Sequence, residues 1–296
     1  MISIVVNFRN EENVIPELIE RLIKVVEKIK QDYEIIFIDD CSTDSSRNII
    51  EKKIENNKNF KYLKTTRRVG IAKCTVYGLS RTKGDLIVSI DADLQDPPEL
   101  IEEMVEYQKT NNVEIVHTQR TKRLGENLIK IALTKFAYYL IAKFSWDKIP
   151  DNTGDFKLYT RKALDRILTF DDKDPFVRGL SIVTGLNQGV IKYERHPRSD
   201  GKTGQSLISS FDPYEELFRG LTFNSYKLIF LIFIISIIQL FLSALFFIFN
   251  KMTFSFIALS SFFIIFCIGI VGIYLKKISN HILKSSQITI EHEIGF

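Results

Sequence analysis

Leu86-Ile87-Val88-Ser89-Ile90-Asp91-Ala92-Asp93-Leu94-Gln95-Asp96-Pro97-Pro98-Glu99 is the stretch on which the reading of the chain turns. Its apolar, β-branched run Leu86–Ile90 predicts a buried strand that breaks off at Asp91-Ala92-Asp93. Pro97 and Pro98 stop that strand, and Pro98-Glu99 suits the first turn of a helix. Two carboxylates one residue apart at a strand end can converge on one hard cation, with Gln95 as a third oxygen. Mg²⁺ or Mn²⁺ bound by few protein oxygens keeps positions open for phosphate oxygens. Acidic pairs at strand ends are also common as solvated turns, so the D-x-D alone does not decide.

The flanks repeat the pattern. Ile2–Val6 reads as a buried strand, and Asn10-Glu11-Glu12 opens a helix with Ile15, Leu18, Ile19, Leu22, Val26 and Ile29 at helical spacing. Glu34–Ile38 is the next strand and runs into Asp39-Asp40-Cys41-Ser42-Thr43-Asp44. There Ser42, Thr43 and Asp44 can cap a helix near 45–56. Phe60–Leu63 predicts a third strand, and Arg67-Arg68-Val69-Gly70 leads into a helix ending near Ser80. Val113–Thr118 is a further strand. Strands alternating with helices imply an α/β fold with a mostly parallel sheet, whose ligands sit beyond the carboxyl ends of strands. Asn7, Asp39-Asp40 and Asp91-Asp93 all fall at such ends, which predicts a site for nucleotide phosphate and metal.

The second half changes character. Asn127 to Trp146 mixes Phe136, Tyr138, Tyr139, Phe144 and Trp146 with lysines, as in an interfacial helix or one packed on the sheet with solvated lysines. Asp151–Leu158 reads as a polar loop entering a strand, Asp174–Leu180 as a loop starting a helix, and Tyr193–Gly204 as a basic, glycine-bearing loop. Gly201-Lys202-Thr203 is not a P-loop, because His196 stands where its leading glycine is needed and no apolar strand precedes it. Leu228–Phe249 and Phe254–Leu275 carry no charge and reach the roughly 20 residues of a membrane span. Arg219 and Lys227 before them, with Lys276, Lys277 and Lys284 after, predict a hairpin with both ends in the cytoplasm.

Over 296 residues the net charge is +4, too mild to point to nucleic acid, and no nucleic-acid partner is expected. Cys41, Cys74 and Cys267 are scattered, so neither a disulfide framework nor a zinc site is indicated. The opening Met1–Val6 lacks a basic region before an apolar one, so no signal peptide is expected.

With D-D-C-S-T-D, D-A-D-L-Q-D-P-P-E, G-D-F-K-L, V-R-G-L and the terminal hairpin together, the chain resembles the family-2 inverting glycosyltransferases. More narrowly it resembles their polyprenyl-phosphate branch, which holds the bactoprenol-phosphate glucosyltransferases and is related to dolichol-phosphate mannose synthase. The resemblance implies a GT-A (Rossmann-like) catalytic domain over 1–219, with interfacial helices near 120–148 and 205–222. It implies a transmembrane hairpin over 226–277 and a cytoplasmic tail over 278–296. It further implies transfer of a hexose from a nucleotide-sugar such as UDP-glucose to undecaprenyl or another polyprenyl phosphate, with Mg²⁺ or Mn²⁺, at the cytoplasmic membrane. Transfer from GDP-mannose to dolichol phosphate, or to a sugar acceptor, are the alternatives. Homo-oligomers and a downstream flippase and glycosyltransferase are partners it allows.

Carried over residue by residue, Asp40 contacts the base with Asp39 beside it, and Asp91, Asp93 and Gln95 hold metal and diphosphate. Asp155 matches the residue usually named as base. Arg123, Arg178, Arg195 and Arg198 match positions that meet donor or lipid phosphate. Lys202 stands in for the lysine of a loop that has Gly204 here. A phosphate monoester has its second pKa at about 6, so such an acceptor is already ionised at neutral pH and Asp155 is expected to position rather than deprotonate. Asn7-Phe8-Arg9-Asn10-Glu11-Glu12 and Arg67-Arg68-Val69-Gly70 depart from the usual P-x-Y-N-E-E and R-N-F-G, which bears on the sugar and base rather than on the reaction. A processive polysaccharide synthase would share the D-x-D but needs more spans and a Q-x-x-R-W-type segment. A membrane adaptor would not need carboxylates at several strand ends.

Overall fold

Strict alternation of side chains sets up the first strand. In β1 (Ile2–Phe8), Ile2, Ile4, Val6 and Phe8 enter one core and Val5 the other, so both faces of the strand are covered. A computed structural model of the chain describes residues 1–55, 57–123, 153–170, 175, 177–195, 253–282 and 288–296. On one face, α1 (Ile15–Ile29) buries Ile15, Leu18, Ile19, Leu22, Val25 and Val26, the apolar stripe of its 3.6-residue period. It shares that core with α2 (Ser46–Ile54) and α4 (Leu100–Asn111). The other core receives α3 (Ile71–Ser80), α5 (Arg161–Leu168) and α6 (Val177–Val183). Helix α3 lies so close that a Cβ on Gly78 would stand 2.6 Å from Cγ1 of Val5.

Between the layers runs an eight-stranded sheet of order β7-β5-β6-β4-β1-β2-β3-β8. Beside β1 lie β2 (Tyr33–Asp39), β3 (Phe60–Thr65) and β4 (Leu86–Asp91), all parallel to it. The sheet then departs from the mostly parallel expectation. Strand β6 (Thr153–Thr160) runs antiparallel between β4 and β5 (Ile115–Arg123), β7 (Gln188–Arg195) is parallel to β5, and β8 (Ile290–Ile294) closes the other edge antiparallel to β3.

Several boundaries move with this topology. Arg120 to Arg123 extend β5 instead of following it, and the segment expected as a loop from Asp151 is already strand at Thr153. Tyr193–Arg195, expected in a basic loop, end β7. Residues 288–296, expected as a tail, return to the sheet as β8 and its flanks. The first helix begins at Ile15, after a turn over Asn10–Val14, because Pro16 can stand only in its first turn. Ser45 occupies the cap of α2, with Asp44 Oδ1 accepting from Ser46 N at 3.1 Å.

The second apolar run belongs to α7 (Thr253–Ile282), 30 residues long, on which Ile257, Ile264, Phe266, Ile268 and Val271 are exposed. Among the described residues no helix is long and apolar enough to cross a membrane. The run 228–249, part of the side chains of α7, the segment Asn127–Trp146 expected as an interfacial or sheet-packed helix, the 205–222 segment, Arg198 and Lys202 lie outside them.

Candidate active site

Three parallel strands end side by side, and each turns away through a left-handed residue. Asn10 follows β1 at φ 54°, Cys41 follows β2 at 59°, and Leu94 follows β4 at 54°. A non-glycine residue there is strained unless its surroundings hold it. Here they do. Ser42 Oγ accepts from Asn10 N at 2.9 Å, Asn10 Oδ1 from Thr43 N at 2.8 Å, Asp44 Oδ2 from Glu12 N at 3.0 Å, and Glu12 Oε2 from Ser45 N at 2.9 Å. The Asn-Glu-Glu and Asp-Asp-Cys-Ser-Thr-Asp segments are thus one knitted loop pair. Asp39 is fully buried and accepts from Tyr62 Oη at 2.7 Å and Ser42 N at 2.6 Å. Burial pushes its carboxyl above the usual range against these bonds. Asp40 takes Val69 N at 2.6 Å on one oxygen and Gly70 N at 3.0 Å on the other, clamping the turn into α3.

Asp91 stands opposite Asn7 in the ladder, and Ala92 N donates to the Asn7 carbonyl at 3.1 Å. Asp91 Oδ1 and Asn7 Oδ1 are buried atoms with no hydrogen-bond partner. Burial, then the neighbouring charges of Asp93, Asp155 and Asp96, push the Asp91 carboxyl up to about 8. Orphaned oxygens among like charges are what a hard cation relieves, so the donor set fits Mg²⁺ or Mn²⁺. Among the described residues no group of three or more His, Cys, Asp or Glu is set to hold a metal. A cation here would rest on the Asp91–Asp93 pair and take its remaining oxygens from ligand and water. Asp93 accepts from Gln95 N at 3.1 Å, and its Oδ2 lies 4.0 Å from Arg195 Nη2. Gln95 is therefore tied in through its backbone.

Asp96 is the hub behind this pair. Nearly inaccessible, it accepts from the hydroxyl of Tyr193 and from Arg120 Nη2 at 3.2 Å, and lies 3.3 Å from Arg195 Nε. Arg120 Nε also donates to Tyr193 Oη at 3.1 Å. Burial opposes its charge, but Asp96 and Tyr193 hold the Arg120 guanidinium above its ordinary value. Gly154 makes room for it, since a Cβ there would stand 2.4 Å from Arg120 Nη2.

One strand over, Asp155 binds Arg178 through both oxygens, at 3.2 Å to Nε and 2.8 Å to Nη2. Burial works against the Asp155 charge, but Arg178 outweighs it and holds the carboxyl below the usual range. Ser89 Oγ donates to the Asp155 carbonyl, fixing β6 to β4 at this level. Below Asp155 lies Lys157, fully buried, with Nζ donating to Ser181 Oγ at 3.0 Å.

The fold thus brings Asp91, Asp93, Asp155, Arg178 and Arg195 together at one edge, with Asp39 and Asp40 farther along it. Arg123 is in β5 with its side chain outside the described residues. Sequence reasoning did not single out Asp96, Arg120, Tyr193 or Lys157. Asp96 stands in the quoted motif, but nothing local marks its role, because its partners come from β5 and β7.

Residues 3–168 match Glycosyl transferase family 2. The chain is 40% identical over 205 residues to an uncharacterized glycosyltransferase, YkcC, of Bacillus subtilis, covering 69% of this chain and 63% of the relative. It is 32% identical over 201 residues to a bactoprenol glucosyl transferase of Shigella phage SfX, covering 68% of this chain and 65% of that protein. The matched region is thus under two thirds of these relatives' own length. Among solved structures, S. aureus TarS 1–349 superposes with a TM-score of 0.50 at 16% identity, over 74% of this chain and 64% of that one, which marks the mixed sheet as GT-A-like. The chain belongs to glycosyl transferase family 2.

Proposed function

We propose that this chain transfers a hexose, from UDP-glucose or a related UDP-sugar, to the phosphate of a polyprenyl lipid with inversion at the anomeric carbon. The observation that carries the reading is the edge where Asp91 leaves a buried oxygen unpaired beside Asp93, with Arg195 and Arg178 held on carboxylates nearby. A relative named as a bactoprenol glucosyl transferase supports the lipid-phosphate acceptor. Asp91 and Asp93 would hold Mg²⁺ or Mn²⁺, which when bound neutralises charge on the leaving diphosphate. The loops around Asp39 and Asp40 receive the nucleoside. Two phosphates of like charge must approach each other, so Arg178 and Arg195, joined by Arg123, Arg198 and Lys202, supply the opposing charge.

The acceptor oxygen attacks the anomeric carbon as the bond to the diphosphate breaks. A phosphate monoester is already largely ionised at neutral pH, with a second pKa of about 6, so no strong base is required. Asp155, kept ionised by Arg178, suits that demand: it is a poor proton acceptor and a good anchor for the guanidinium. The runs 228–249 and 254–275 form the membrane hairpin in this reading, supported by their uncharged length and by the exposed apolar side chains of α7.

The test is a screen of UDP-, GDP- and dTDP-sugars against undecaprenyl phosphate with the full chain in detergent, with and without EDTA, reading product mass. A lipid phosphate hexose that disappears with EDTA and returns with Mn²⁺ is expected. Donor consumption without a lipid product would refute the acceptor.

A further inference from the structure

Helix α6 is fastened to strand β6 at two levels, and only the upper one belongs to the edge described above. Arg178 and Ser181, one turn apart on α6, face Asp155 and Lys157, two residues apart on β6. The upper rung is the bidentate Arg178–Asp155 pair. The lower rung is Lys157 Nζ donating to Ser181 Oγ at 3.0 Å, and that hydroxyl in turn donates to the Arg178 carbonyl at 2.8 Å. Lys157 is thus bonded, through one hydroxyl, to the backbone of the residue that carries the guanidinium. Gln188 Nε2 donates to the Ser181 carbonyl at 3.0 Å, and Gln188 Oε1 meets His117 Nε2 at 2.7 Å, so β7 and β5 hold the same helical turn.

The energetics are unusual for a residue kept only for stability. Lys157 has no exposed surface, and removal of an ammonium from water is costly unless its surroundings repay it fully. Burial pulls it down to about 7 in spite of Asp155. An unbranched apolar side chain would fill the slot at no such cost.

We propose that Lys157 is a positioning residue for the acceptor phosphate: through Ser181 it sets the α6 turn that presents the Arg178 guanidinium on Asp155. This rests on the phosphate-acceptor reading above. The test compares Lys157→Met and Ser181→Ala with the unaltered full chain in two ways. One is steady-state kinetics with donor and acceptor varied separately. The other is the rate at which phenylglyoxal modifies Arg178, read by peptide mass spectrometry, which needs no acceptor. Both variants are expected to raise the acceptor KM tenfold or more, leave the donor KM within twofold, and speed Arg178 modification several-fold. Acceptor KM and Arg178 modification both unchanged in the folded variants would overturn the proposal. If Lys157→Met does not fold, Ser181→Ala, which removes the same link from the other side, decides alone. If the unaltered chain makes no lipid phosphate product, the acceptor reading has failed, and the Arg178 modification rate still judges the positioning.

Discussion

Asp93 is a mostly buried carboxylate whose bonds are a turn N–H and Arg195 at 4.0 Å, so little of the fold depends on it. Asp93→Ala is therefore expected to reduce transfer at least a hundredfold while shifting stability by less than about 1 kcal/mol, because the lost turn bond is offset by relief of its repulsion with Asp91. Under the proposed metal pair, Mn²⁺ is expected to raise the Tm of the unaltered chain in a thermal melt and to leave that of the variant unchanged. Near-normal turnover with Mn²⁺ would remove Asp93 from the metal pair. Gly154 behaves differently because its missing Cβ is what seats Arg120 on Asp96. Gly154→Ala pushes the guanidinium off a carboxylate that keeps Tyr193 and Arg195, so a loss of about 1–3 kcal/mol is expected in urea unfolding. An unfolding midpoint equal to that of the unaltered chain would show that Arg120 has another seat. The acids at the strand ends were legible because a strand announces itself by an apolar run and must stop somewhere. Asp96 was not, because its partners Arg120 and Tyr193 lie 24 and 97 residues away in the chain.

At the scale of elements, the four parallel strands and the helices between them follow from local pattern, since each strand is an apolar run and each helix an apolar stripe. Direction is not a local property. Nothing in Thr153–Thr160 marks β6 as antiparallel; its direction shows only in its pairing with β4 and β5. Strand β8 did carry a signal, the alternation Ile288-Thr289-Ile290-Glu291-His292-Glu293-Ile294, but an edge strand half in water is easily read as a polar tail. It seals the exposed edge of β3 through Glu291 with Lys64, Glu293 with Arg81, and the Phe296 ring beneath Lys61 and Arg81. His292 also lies against Tyr62, whose hydroxyl holds Asp39. Deleting 288–296 is expected to lower Tm by several degrees, promote association through the bared edge and, under the proposed donor, weaken UDP-sugar binding several-fold by calorimetry. Unchanged nucleotide affinity in the shortened chain would confine β8 to protecting the edge.

Across the whole molecule, the two ends of the sheet handle buried charge in opposite ways. At the carboxyl ends of the parallel strands Asp91 is left with an orphaned oxygen among other acids, an arrangement that costs stability and makes room for a ligand. At the other end Glu34 is fully matched: Ser3 Oγ donates at 2.5 Å, Lys61 Nζ at 2.6 Å and Lys83 N at 2.6 Å, tying β1, β2, β3 and the turn before β4. Burial would raise the Glu34 carboxyl, but the bonds from Lys61, Ser3 and Lys83 outweigh it and hold it below the ordinary carboxylate value. A carboxyl with a depressed folded value binds its proton more weakly folded than unfolded. Its stabilisation is therefore present above the unfolded value of about 4.3, and is lost as pH falls through the lower folded value. Glu34→Ala should cost about 3–5 kcal/mol at pH 7, because it leaves the Lys61 ammonium buried without its partner. That deficit should shrink as pH falls below 4, where the unaltered chain loses the same interaction. Urea unfolding of both proteins at pH 7 and at pH 3.5 reads the difference directly. A gap between them that stays constant with pH would show that Glu34 stabilises the sheet by packing and not by its charge.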